Sequence, residues 1–194
     1  MTPPDEKTTL KRYLQEGRDA VLFKLEGLSE YDVRRPLTPT GTNLLGLVKH
    51  LALVEFGYFG ATFDRPPADP PPSYDYENEP NVDMWAQPDE SREDIVGLYK
   101  RAWAHADATI DALDLDATGH VAWWTPGNTV TLHQILVHEI AETHRHAGHA
   151  DIVRETIDGA AGAQSPGDDM PDLAPDQWSA YREKVEQGAR TFKN

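Results

Sequence analysis

Apolar side chains recur at a spacing of three to four residues through most of the chain, and each such run predicts a helix. In TTLKRYLQEGRDAVLFKLEG, residues 8 to 27, the run is Leu10, Tyr13, Leu14, Ala20, Val21, Phe23 and Leu25. The segment TNLLGLVKHLALVEFGYFGATF, residues 42 to 63, is apolar around most of its circumference, which predicts a central helix with Thr42 as its N-cap. A third helix is expected at about 90 to 113, where Ser91 and Asp94 have capping-box spacing and Ile95, Leu98, Tyr99, Ala102, Trp103, Ala106 and Ile110 form a stripe. The fourth runs from about 132 to 158, with Thr131 and Gln134 as its capping box and Gly159 as the terminating glycine.

Between the second and third helices, residues 65 to 88 hold seven of the fifteen prolines and cannot continue a helix. A loop this long inside a compact domain is a crossover or a functional segment. GHVAWWTPGNTV, residues 119 to 130, reads as a short hairpin or irregular connection around Pro126-Gly127-Asn128. A joint rich in Gly, Ala and Pro at 159 to 171 precedes a shorter helix from about Pro175 to Phe192. No internal repeat interrupts this order. Four long helices joined by one long crossover predict an all-α fold, a four-helix bundle with an additional C-terminal helix. A length of 194 residues fits one domain, 1–194.

Charge narrows the partners. Lysine and arginine total 18 against 33 acids, a formal charge of -15, with no basic run. A protein that grips phosphates needs a cationic footprint, so neither a nucleic acid nor an anionic membrane is expected as partner. No apolar stretch is expected to reach the roughly 20 residues of a membrane span. The opening MTPPDEKTTLKRYL lacks the basic-then-apolar order of a signal peptide, and a cytoplasmic location is expected. With no cysteine in the chain, any metal must be held by His, Asp and Glu.

Four of the eight histidines fall within residues 138 to 155, on the fourth helix. At about 100° per residue, with His138 at zero, Glu142 lies at about 40°, His146 at about 80° and His149 at about 20°. These four share one face, while His133 and His144 fall on the opposite side and read as solvated surface. Ile135 and Val153 lie on the shared face too, so it points toward the core, where imidazoles and a carboxylate are costly unless paired or bound to a cation. Glu142 and His146, four apart, can reach one ion, with a third ligand from a facing helix. His50, on the stripe with Gly46, Leu47, Leu53, Val54 and Gly57, is the candidate. His50, Glu142 and His146 would form a two-histidine, one-carboxylate site suited to zinc and also to nickel, iron or manganese. His138 in place of His146, and His149 as an additional ligand or a supporting partner, remain alternatives.

The segments PLTPTGTNLLGLVKHLALVEFGYFGATFDRP, NVDMW, ESREDIVGLYKRAWAHADATI and LHQILVHEIAETHRHAGHADIVRETIDG resemble the DinB/YfiT-like superfamily of metal-binding helical bundles. More narrowly, they are similar to its actinobacterial branch related to mycothiol-dependent maleylpyruvate isomerases and to mycothiol and bacillithiol S-transferases. The resemblance spans a core of about residues 8–160. It implies an up-down-down-up helix order, a divalent metal at one end of the core, and a homodimer. Its ligand positions fall on His50, Glu142 and His146. Many relatives carry a third histidine where Glu142 stands, a departure shared with the isomerase branch.

Three functions follow from such a site. In the first, a metal-dependent S-transferase brings a small-molecule thiol of the mycothiol type together with an electrophile, with His149 orienting the site or relaying a proton. The second is metal-assisted hydrolysis with Glu139 or another acid as base. The third is a noncatalytic metal- or ligand-binding bundle. Tyr74, Tyr76, Trp85, Trp123 and Trp124 are expected mainly to pack the open end of the bundle, and Arg145 and Arg154 to form solvated salt bridges. Neither a Gly-rich phosphate loop nor a G-x-S-x-G elbow is present.

Overall fold

The computed structural model describes residues 4–168 and 170–193. Residues 1–3, 169 and 194, which the expected 1–194 domain includes, lie outside the described residues. Helix α1, Glu6–Phe23, starts where the Asp5 side chain accepts from the Thr8 amide, and it gives way to turns ahead of Gly27. Its apolar spacing continues past the point where the helix ends. The five-residue α2, Glu30–Arg34, is too short for any periodicity to announce; Ser29 caps it.

Helix α3 spans Leu44–Phe59. Its N-cap is Asn43 rather than the expected Thr42, with the Asn43 side chain accepting from the Gly46 amide at 2.8 Å. Thr42 belongs to the preceding turn, its carbonyl accepting from the Leu37 amide. A short 3-10 turn, Ala61–Phe63, follows. Together Leu44–Phe63 make 20 residues of mean hydropathy 1.3, long and apolar enough by length and composition to cross a membrane, which corrects the expectation that no stretch approaches that length. Lys49, His50 and Glu55 interrupt the run without ending it, and 72% of it is buried inside the protein.

Helix α4, Arg92–Ala112, carries the expected Ser91–Asp94 capping box with both reciprocal bonds formed. The PGN segment joins two three-residue strands, β1 (Thr118–His120) and β2 (Thr129–Thr131), paired antiparallel with Gly119 opposite Val130. Helix α5, Leu132–Asp158, begins at Thr131, which accepts from the Gln134 amide, and ends at Gly159, whose φ of 77° places it in the left-handed region that glycine tolerates best. Helix α6, Pro175–Arg190, has no buried residue and lies outside the core.

The fold is mainly helical. Helix α3 packs on α4 and on α5, and α1 packs on α5. One apolar cluster gathers Val21, Leu45, Val48, Leu51, Leu98 and Tyr99; the other gathers Leu14, Phe59, Ile110, Leu132, Ile135 and Leu136. Polar groups are sealed among them. The Arg18 guanidinium donates to both Glu55 oxygens at 3.0 and 2.8 Å and to Asp107 at 3.0 Å, tying α1 to α3 and α4. Burial opposes the Arg18 charge, but Glu55 and Asp107 outweigh it and hold the guanidinium protonated.

Candidate metal centre

The end of the proline-rich crossover is pinned against one side of α3. A Cβ on Gly46 would stand 1.8 Å from the Met84 carbonyl oxygen, so only glycine allows this approach. Asn43 Nδ2 donates to the same carbonyl at 3.1 Å, and the fully buried Lys49 ammonium donates to the Trp85 carbonyl at 3.1 Å and to Glu90 at 2.8 Å. These contacts set a 3-10 turn, Val82–Met84, beside the helix. As a result Asp83 Oδ2 lies 2.6 Å from His50 Nδ1.

With Nδ1 engaged by Asp83, His50 turns Nε2 toward α5. There Nε2 is 3.6 Å from Glu142 Oε1, and His146 Nε2 is 3.0 Å from the same oxygen. One donor atom from each of His50, Glu142 and His146 lies within 4.8 Å of the others. Bonds of about 2.0–2.2 Å to a tetrahedral ion would set such atoms about 3.4 Å apart, so the donor set and its spacing fit a divalent metal. The second nitrogen of His146, Nδ1, lies 3.3 Å from His149 Nδ1. Both imidazoles therefore have their outer nitrogen engaged by a neighbour, the arrangement that fixes the tautomer of a ligating histidine.

The electrostatics agree with that geometry. Burial pushes the Glu142 carboxyl up, but His146 and His50 outweigh it and hold it below its ordinary value. The hydrogen bond from His50 holds Asp83 low despite its partial burial. Desolvation, reinforced by His50, lowers His146, so its imidazole stays neutral and free to ligate.

The structure separates the remaining candidates. His138 is outside the cluster; it packs edge-on to Tyr58 and Trp124, with ring centroids 4.8 and 4.9 Å away, and lines a cavity of about 870 Å3 together with His50, Asp83 and Glu142. His133 pairs with Glu6 at 3.2 Å and His144 bonds the Tyr13 carbonyl at 2.9 Å, both at the exposed surface. Arg154 clamps Asp158 and the Lys24 and Glu26 carbonyls, and Arg145 is exposed. Glu139, considered above as a base, is 0% exposed and does not line the cavity, which removes it from that role. Tyr74 is tied to Glu90 at 2.7 Å, and Trp124 packs inward on Tyr58. Tyr76 and Trp123 line the cavity, whereas Trp85 contributes its carbonyl to Lys49. Asp83 is the site residue that periodicity missed; its signal lay in the NVDMW segment, whose position depends on Gly46 and Asn43.

The chain is thus a mainly helical protein in which two histidines and a carboxylate converge beside a cavity. A profile of the family described as mycothiol-S-transferase matches residues 9–159, and the chain belongs to that family. No curated protein matches it. Among solved structures, a conserved protein from Enterococcus faecalis is similar in fold, with a TM-score of 0.57 at 15% identity, covering 81% of this chain and 99% of that one.

Proposed function

We propose that this chain is a metal-dependent thiol S-transferase that joins a small thiol of the mycothiol type to an electrophile. The observation that carries the reading is the convergence of His50, Glu142 and His146 beside a cavity that His50 and Glu142 line and that is large enough for two reactants. In this reading α1, α3, α4 and α5 form an up-down-down-up bundle. His50 Nε2, a Glu142 oxygen and His146 Nε2 hold the ion, zinc in the first instance. A bound divalent ion lowers the pKa of a coordinated thiol, so that the sulfur is present as thiolate at neutral pH.

The chain's own groups prepare that site. Asp83 accepts a hydrogen bond from the His50 Nδ1–H and keeps the Nε2 lone pair facing inward. His146 carries its proton on Nδ1 and donates it to His149 Nδ1, which makes His149 a positioning residue. Tyr58, Trp123 and His138 line the cavity beside Glu142, where the second reactant would be received. In the overall transfer the S–H bond of the thiol and the carbon–leaving-group bond break and an S–C bond forms. The leaving group departs with its electron pair and the proton passes to solvent, so no oxidant is required.

The hydrolytic alternative loses its nearest base with Glu139 sealed in the core. The test is thiol consumption by zinc-loaded protein with mycothiol and a chloronitroaromatic, against His50→Ala and His146→Ala. Turnover in wild type, lost in both variants, is expected. A loaded, folded wild type that consumes no thiol across a panel of electrophiles would leave a binding protein in place of an enzyme.

A further inference from the structure

Away from the candidate metal centre, the cavity beside it is walled mainly by aromatic and aliphatic side chains. Tyr58, Tyr76, Trp123 and His138 supply rings, and Leu53 and Val54 supply the aliphatic side. Trp123 lies over Gly57, where an added Cβ would be 3.3 Å from the indole, and it remains 52% exposed. Both indole N–H groups are already spent: Trp123 Nε1 and Trp124 Nε1 donate to the Tyr58 hydroxyl oxygen at 3.3 and 3.0 Å. Trp123 therefore presents its ring to an occupant with no free donor.

Charge points the same way. The lining includes two acids, Asp83 and Glu142, and among the described residues no lysine or arginine. A divalent ion held at the centre would be offset by those two carboxylates, leaving no net positive field for an anionic substrate. A carboxylate carried into the cavity would meet no lysine or arginine in the lining and would face those two acids. Resting on the S-transferase reading, we infer that the electrophile taken here is an uncharged, flat aromatic molecule, held by stacking on Trp123, and that carboxylate-bearing electrophiles are excluded.

The test compares two probes that differ in charge and share a ring system, methyl 2-naphthoate and 2-naphthoate, by equilibrium dialysis against the full chain. It is run on protein as purified and again after chelation. The ester should bind at least about tenfold tighter than the anion in both states. Trp123→Ala should weaken ester binding about fivefold, and Trp123→Phe, which keeps a ring, should restore most of it. Circular dichroism confirms that these half-exposed substitutions leave the fold intact. The inference is overturned if the anion binds as tightly as the ester, if Trp123→Ala leaves ester binding unchanged, or if neither probe saturates. Because neither thiol nor turnover enters the measurement, ester binding without any thiol transfer would sink the S-transferase reading and leave the cavity's selectivity standing.

Discussion

Replacing Glu139 with methionine should stabilise the protein, and by an amount that grows with pH. Glu139 is 0% exposed, and neither of its oxygens has a hydrogen-bond partner among the described residues; the Thr143 hydroxyl, one turn along α5, is unpartnered as well. Burial pushes the carboxyl well above its ordinary value, Glu55 and Glu142 push it further, and Arg18 opposes them. Below the unfolded-state value of about 4.3 the group is protonated in both states, and the penalty is that of an unpaired neutral polar group, about 1–3 kcal/mol. As pH rises the unfolded chain ionises freely while the folded one keeps its proton. The wild type therefore loses about 1.4 kcal/mol per pH unit relative to the variant until the folded value is reached. Methionine conserves volume and brings no polar atom that needs a partner. Urea unfolding of chelated wild type and Glu139→Met at pH 4.5, 5.5 and 6.5 isolates the effect, since every other titrating group cancels in the difference. A gap that stays constant with pH would show that the Glu139 carboxyl does not keep its proton in the folded chain, and a less stable variant would show that Glu139 has an internal partner.

Asp83→Asn should leave the fold intact while weakening zinc binding about 10- to 100-fold in a chelator competition, because the carboxylate that aligns His50 is lost. Gly46→Ala should destabilise despite alanine's better helix propensity, since its Cβ would overlap the Met84 carbonyl; Gly148→Ala, with open space around it, should stabilise by about 0.5–1 kcal/mol in the same thermal melt. Arg18→Met strands Glu55 in the core and should cost about 3–5 kcal/mol in denaturant unfolding, whereas a loss under 1 kcal/mol would mean the pair is hydrated.

The long helices and the three converging residues were legible because helical periodicity reports which residues share a face. It does not report height along the axis. His138 and His146 are eight residues apart, about 12 Å along the helix, so one sits in the cluster and the other further along the cavity wall. Glu139, next in the chain to His138, is sealed by the packing of α1 and α3 against α5. Asp83 was out of reach for a different reason. Its position follows from a glycine and an asparagine some forty residues earlier that fix the path of an irregular segment. Thr42 and Asn43 are both good caps, and only the bond to the Gly46 amide decides for Asn43.

Every functional step above depends on a metal held by His50, Glu142 and His146. Elemental analysis of protein purified without a histidine tag, wild type beside His50→Ala and His146→Ala, tests it most directly. About one divalent ion per chain is expected in wild type, with loss in both variants, each still folded by circular dichroism. A wild type that retains no metal even after incubation with zinc, nickel, iron and manganese would contradict it.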